Sequence, residues 1–325
     1  MSTAVSQRLS FRGVASEAKR VTTAHSLHFF ALSLLFLFPF CFSIVIYPSL
    51  FTAAFSQLNG FHPQQWLLSF NADPTDPRAR PILLALFALC LAPCAFGTII
   101  YSTFNGHHGR PVTLSSSVKS LVCSFFPMLS TLIVSQIIVC LVGVLAALIL
   151  LAGLQIVGVE VNYNNPSWGL VILYVLLVLP TILWLQINWS LAYVIVVVES
   201  KWGYEPLRGS AQLVKGMRRV AASILLLYGL VISLMVVYYS LWFGMVGPNF
   251  THREILFWIA AIIVVYSSSL VTGVTLNSLA ANVVLYIHCK ALHEKEAFLE
   301  VAEVESKDAS LPFGDGKVSQ VVNHV

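Results

Sequence analysis

The sequence predicts an all-α, polytopic membrane protein with six transmembrane helices and two interfacial amphipathic helices on its cytoplasmic face. Three observations carry this. Hydrophobic residues make up 58% of the 325-residue chain and charged ones only 10%, against roughly 25% in a soluble domain. Apolar runs long enough to cross a bilayer alternate with polar, turn-rich segments. The basic residues fall almost entirely on alternate connections.

Taken in order, residues 1–26 form a polar, Ser-rich segment with Arg8, Arg12, Lys19 and Arg20. The first run, Leu27 to about Phe51, is too long for a signal-peptide core and no small-residue cleavage site closes it, so it reads as an uncleaved span. Pro39 is a point for a kink. A loop to residue 81 holds turn formers and the interfacial aromatics Phe61 and Trp66. The second span is about Ile82–Thr103.

After Pro111, Leu114, Val118, Leu121 and Phe125 recur on one helical face. This is a short amphipathic lead-in to the third run, about Cys123–Val159, which exceeds the ~20 residues a span needs and must tilt, kink or project. An Asn-rich break follows. The fourth run is Trp168–Val198, the fifth about Val220–Met245 and the sixth about Ile255–Ile287. Residues 27–287 thus form the membrane domain. Residues 288–325 form a charged tail whose first part extends span six and whose end is disordered.

With both termini in the cytoplasm, fifteen of the 18 Lys and Arg lie on that side, and Arg78, Arg80 and Arg253 lie on the other. The bias obeys the positive-inside rule and requires an even number of spans. It points to the endomembrane system or the plasma membrane. A net charge of +4 with no nucleic-acid motif excludes nucleic acid as a partner.

The polar stretch Glu199–Val220 joins spans four and five. Glu205 and Pro206 make a helix start. At about 100° per residue, Leu207, Ala211 and Val214 fall on one arc, and Arg208, Lys215 and Arg219 on another. Arg208, Lys215, Arg218 and Arg219 are therefore candidate contacts for anionic lipid headgroups. An ordinary basic loop packed on its own bundle is the competing reading, and calmodulin binding a third. Glu199 is expected to pair with the basic helix.

This stretch resembles the loop motif of the glycerophosphoryl-diester-phosphodiesterase membrane-domain and YciC-like families. There, an acidic residue ends a span and an Ala-x-x-Ser-x-x-Leu-x-x-Gly helix follows. The matching positions here are Leu207, Ser210, Leu213 and Gly216, with leucine in place of the first alanine. The end of the last span, Leu285-Tyr286 followed by Lys290 and Glu294, is similar to the same families' Leu-Tyr-x-x-x-Arg-x-x-x-Glu, with lysine for arginine. The chain also resembles a family of six-span plant membrane proteins. The resemblance implies a fold rather than an activity, and the phosphodiesterase catalytic domain has no counterpart here.

No catalytic constellation stands out, and no metal or cofactor is expected. The spans hold no intramembrane Asp, Glu, Lys or Arg, the usual mark of proton relays. His107 and His108 are adjacent and cannot share a helical face, and His252, His288 and His293 are scattered. The cysteines read as packing residues, with Cys289 a candidate for palmitoylation. Ser269, Gly273, Asn277 and Ala281 recur every four residues on span six, a spacing that favours close helix packing. With Gln186, Asn188 and Asn282 they are candidates for helix packing or for a polar path. Asn249 opens a glycosylation sequon.

Two functional classes follow. One is a non-enzymatic integral membrane protein that organises or regulates a membrane or a membrane-protein partner. The other is a small-solute or lipid transporter.

Overall fold

The computed structural model describes residues 10–56, 79–110, 113–156, 168–246 and 254–309. The loop aromatics Phe61 and Trp66, the Asn249 sequon and the end of the tail lie outside these residues. Every element among them is helical. They are α1 (Phe11–Ala24), α2 (Ser26–Leu32), a π-helical turn (Ser33–Leu37), α3 (Phe38–Ser56), α4 (Ala79–His107), α5 (Leu114–Ile156), α6 (Trp168–Asn188), α7 (Ala192–Glu199), α8 (Glu205–Leu213), α9 (Arg218–Val246) and α10 (Glu254–Ala309).

Six helical stretches are long and apolar enough to cross a membrane. These are α2–α3, α4, α5, α6–α7, α9 and α10, the six runs read from the sequence. In the most apolar stretches of α5 and α6–α7 only 6% of residues are buried, against 39% in α2–α3 and 33% in α4 and α10. Spans 1, 2 and 6 therefore form the centre, and spans 3 and 4 turn most of their surface outward. Outward leucines and valines are stable only in lipid. The hub is α10, which packs on α1, α3, α4 and α9.

The local chemistry accounts for each irregularity. The π turn lies just before Pro39, which has no N–H to give to the turn behind it. The widened turn lets the Phe38 N–H bond Ser33 O instead. The fourth span is not one helix. It breaks at Trp189–Leu191, between α6 and α7. Ser200 (φ 55°) and Gly203 (φ 70°) then reverse the chain into α8, and the Gly203 N–H donates to Ser130 Oγ at 3.2 Å. The resulting hairpin lays α8 along α7.

The helix start at Glu205–Pro206 is as the sequence indicates. The helix ends sooner, at Leu213, followed by a 3-10 turn at Val214–Gly216 and a break at Met217 (φ −130°). Arg218 and Arg219 thus belong to the first turn of α9 and not to the amphipathic helix. The apolar arc of α8 also faces inward. Leu207, Val214 and Met217 are buried in the protein, where Leu207 packs with Trp189 and Ala192.

The lead-in at Leu114 is not a separate helix but the start of α5. Its polarity is turned about. Leu114 and Val118 are exposed, while Ser117 is fully buried. A lipid-facing helix gains by putting its hydroxyls inward, where they find partners.

The main core gathers where α1 lies against the bundle. Val14 and Ala18 of α1 meet Val194–Val196 of α7, Val214, and Ala280 to Cys289 of α10. A second cluster runs through the interior, from Phe29 and Leu37 to Ile99, Tyr239 and Val271.

Candidate functional site at the α1 end of the bundle

Spans 2, 4 and 6 all finish at the α1 end, and each delivers ionisable side chains there. Glu199, the last residue of α7, is the centre of one cluster. Tyr286 Oη of α10 donates to Glu199 Oε1 at 2.8 Å. One helical turn on, Lys290 Nζ lies 3.5 Å from the same oxygen and 3.3 Å from Tyr286 Oη. Lys201 closes the other side, 3.3 Å from Glu199 Oε2 and 3.4 Å from Glu205 Oε1. The hydrogen bonds that Lys201 donates to Glu199 and Glu205, with the charges of those carboxylates, hold its ammonium above the ordinary value.

Glu199 therefore takes its partners from the chain reversal and from span 6, not from the α8 cations expected to neutralise it. The two sequence segments that carry the family resemblance, 87 residues apart, meet in this cluster. A cavity of about 290 Å³ adjoins it, lined by Phe104, His108, Val198, Tyr286, Lys290 and Glu294 among others.

The second cluster was not legible in the sequence. Glu17 of α1 takes one hydrogen bond on each carboxylate oxygen. His107 Nε2 lies 2.9 Å from Oε1 and His288 Nε2 lies 3.0 Å from Oε2. The three residues come from α1, the end of span 2 and the end of span 6. Burial alone would raise the Glu17 carboxyl, but the hydrogen bonds and charges of His288 and His107 outweigh it and hold the group below its ordinary value. Each imidazole gives its Nε2–H to the carboxylate, so this is a clamp of satisfied partners. Among the described residues no group of His, Cys, Asp and Glu has the geometry to hold a metal ion.

A third polar contact sits deeper. His28 Nε2 lies 3.1 Å from Ser102 Oγ, which lies 2.9 Å from Ser117 Oγ. It joins spans 1, 2 and 3. Only the inward turn of Ser117 gives it away, and that is a tertiary property.

Ser210 of α8 ties the basic hairpin to the break in span 4. Its Oγ donates to Asn188 O at 2.6 Å and accepts from the Leu191 N–H at 3.1 Å. A broken helix leaves such backbone groups unpaired, and this fully buried hydroxyl satisfies one of each. Arg208, Lys215, Arg218 and Arg219 all lie exposed on the outer side of this region. None of the four forms an ion pair with a described residue.

The polar residues of spans 4 and 6 have different surroundings. Gln186 and Asn188 sit on α6, which packs on α5, α8 and α9. The Asn188 Nδ2 donates to Trp184 O at 2.7 Å, and its Oδ1 is buried without a partner among the described residues, as is Asn282 Oδ1 on α10. Gly273 and Asn277 instead line an open groove of about 590 Å³ beside Ser16 and Lys19 of α1 and Tyr228 of α9. A Cβ built on Gly273 would meet nothing within 4 Å, so no helix approaches closely there. Of that stripe, Ala281 is the fully buried member. Cys289, read as a candidate for acylation, is also buried, at 2% exposure.

Residues 81–299 match a family model described as Domain of unknown function (DUF8558). The chain belongs to this family. No curated protein and no solved structure matches it. The DUF8558 region contains the whole Glu199–Tyr286–Lys290 cluster, α8 and both imidazoles of the clamp. Glu17 lies outside it, so α1 is held to the DUF8558 domain by a residue from beyond the matched segment.

Proposed function

We propose that this DUF8558 protein is a non-enzymatic integral membrane protein that organises or regulates a membrane by holding anionic lipid headgroups at its α1 end. One observation carries the reading. The carboxylates of Glu17 and Glu199 are hydrogen-bonded by partners within the bundle, whereas Arg208, Lys215, Arg218 and Arg219 are exposed and have no carboxylate partner among the described residues. Each cation near an anionic surface contributes on the order of 1 kcal/mol. Because Leu207, Val214 and Met217 are held in the core, the cations are presented by a fixed segment from α8 to the start of α9, and lipid is drawn to the protein. The distribution of Lys and Arg supports a cytoplasmic placement of this end and of both termini, in an endomembrane or the plasma membrane.

The test uses the full-length protein in detergent, melted with short-chain phosphatidylserine or phosphatidylcholine. A lipid that binds the folded state raises the melting temperature by mass action. Phosphatidylserine is expected to stabilise the protein more than phosphatidylcholine, and the R208E/K215E/R218E/R219E variant is expected to lose that difference. Equal stabilisation of the unaltered protein by the two lipids overturns the reading.

A second reading, transport of a small solute or lipid, is favoured by the interruption of span 4 and the unpaired Asn188 Oδ1 beside it. Interrupted spans form substrate sites in many carriers. Flux in proteoliposomes that is lost on Asn188→Leu would support it. A broad substrate panel without flux would end it.

A further inference from the structure

The cavity of about 290 Å³ at the α1 end holds polar groups that the Glu199 cluster does not use. One wall is the end of span 2, with Phe104 and His108. The other is a face of α10, with Tyr286, Lys290 and Glu294. These three are spaced at i, i+4 and i+8, so they stand in a row along the helix. Glu17 ties the two walls together, through His107 at 2.9 Å and His288 at 3.0 Å. The four exposed cations of α8 and α9 take no part in the lining, so the site does not rest on them.

Each wall presents an acceptor that the protein leaves open. His108 Nδ1 lies 2.8 Å from Phe104 O and must donate to it, because a carbonyl oxygen only accepts. In the neutral ring Nε2 is then an acceptor, and it has no partner among the described residues. The Glu294 side chain is exposed, and its carboxylate forms no hydrogen bond or ion pair with a described residue. Lys290 supplies the opposite sign. Its ammonium reaches Glu199 Oε1 at 3.5 Å and Tyr286 Oη at 3.3 Å, and a third N–H remains.

These groups select the ligand. A simple cation is drawn to Glu294 and repelled by Lys290, and a simple anion meets the reverse. A dipolar molecule satisfies both, across a helical step of about 6 Å. Its positive end must carry an N–H, because His108 Nε2 accepts. The volume is at the small end for a ligand site, so it suits a polar group rather than acyl chains. Phe104 and Tyr286 stand where spans 2 and 6 give way to polar residues, which is the level of lipid headgroups.

We propose that this cavity binds a phosphoethanolamine group, with the phosphate on Lys290 and the primary ammonium between Glu294 and His108 Nε2. A choline group has no N–H for the histidine. A serine group adds a carboxylate that Glu294 repels.

The experiment melts the full-length protein in detergent with short-chain phosphatidylethanolamine, with phosphatidylcholine of the same chains, and with soluble O-phosphoethanolamine. A ligand of the folded state raises the melting temperature by mass action. The ethanolamine lipid is expected to raise it by several degrees more than the choline lipid. An equal rise with O-phosphoethanolamine identifies the ligand as a free zwitterion, and no rise with it assigns the cavity to the lipid headgroup. Lys290→Met and Glu294→Gln should each lower the affinity for the ethanolamine lipid several-fold. The Glu294 side chain is exposed, so its exchange for Gln keeps the test open should Lys290→Met fail to fold. Equal shifts with the two lipids, or an ethanolamine response unchanged in Glu294→Gln, overturn the proposal.

Discussion

Tyr286 Oη donates a hydrogen bond to Glu199 Oε1 at 2.8 Å, across 87 residues of sequence. It joins the end of span 4 to span 6 at the level where α1 crosses the bundle. The tyrosine is almost completely buried and the carboxylate is 27% exposed, so the bond is sheltered from water more than the neighbouring lysine pairs are.

The pair is open to a double-mutant cycle. Tyr286→Phe and Glu199→Gln should each lower unfolding stability by about 1.5–3 kcal/mol, as for a hydrogen bond to a charged group. Their coupling should be about 1 kcal/mol. Lys290→Met should cost less, because that lysine is 46% exposed and exposed pairs contribute little. Denaturant titration in mixed micelles measures all three. Coupling near zero would mean that the contact contributes nothing.

Ser210→Ala should be costly for a residue in so short a helix. It strips the Leu191 N–H of its acceptor and Asn188 O of its donor, both at a buried break. Leaving such groups unpaired costs roughly 1–3 kcal/mol. The exposed neighbour Arg208→Ala should stay within about 0.5 kcal/mol. The same micelle titration compares them, and equal losses would deny Ser210 its role at the break.

The Glu17 clamp makes the docking of α1 sensitive to acid. Its folded-state pKa is depressed below the ordinary 4.5. Over the interval between the two values the unfolded chain binds more protons, so stability rises with pH there. The contribution is fully present above about 4.5 and is lost as the pH falls through the lower, folded-state value. Melting curves from pH 6 to pH 3 should show a loss that Glu17→Gln removes. Limited digestion with pepsin, which is active at this acidity, should report α1 coming free. An unaltered acid profile in Glu17→Gln would locate the sensitivity elsewhere.

Gly273→Ala should stabilise the protein by about 0.5–1 kcal/mol, the usual gain for alanine over glycine inside a helix. The added Cβ meets open space. A destabilised variant would instead reveal a close helix approach at that position.

Hydropathy alone made the class of the protein and its spans legible, because burial in lipid is a one-dimensional property of a run. The same holds for the helix start at Pro206, where a ring without an N–H fits the first turn. Facing was harder to read. The serine side of α5 and the apolar side of α8 both point inward, since Ser117 seeks hydrogen bonds in lipid while Leu207 packs beneath a hairpin. Periodicity finds a stripe but does not say what lies opposite it. The polar residues of spans 4 and 6 were visible as a set, yet only packing shows that Gly273 and Asn277 face a groove while Asn188 sits at a break.

What the sequence by itself determined was the number of spans, the charge asymmetry of their connections and the break in polarity at Glu199. Each depends on nearest neighbours along the chain. What only the tertiary structure decided was which distant groups share a charge. His107 and His288 looked scattered and meet on Glu17, and Glu199 reaches Tyr286 rather than the cations that follow it. The reason is physical. Helices carry their ends to a common level, so groups far apart in sequence become neighbours wherever spans of matched length terminate, and a local pattern holds no record of that.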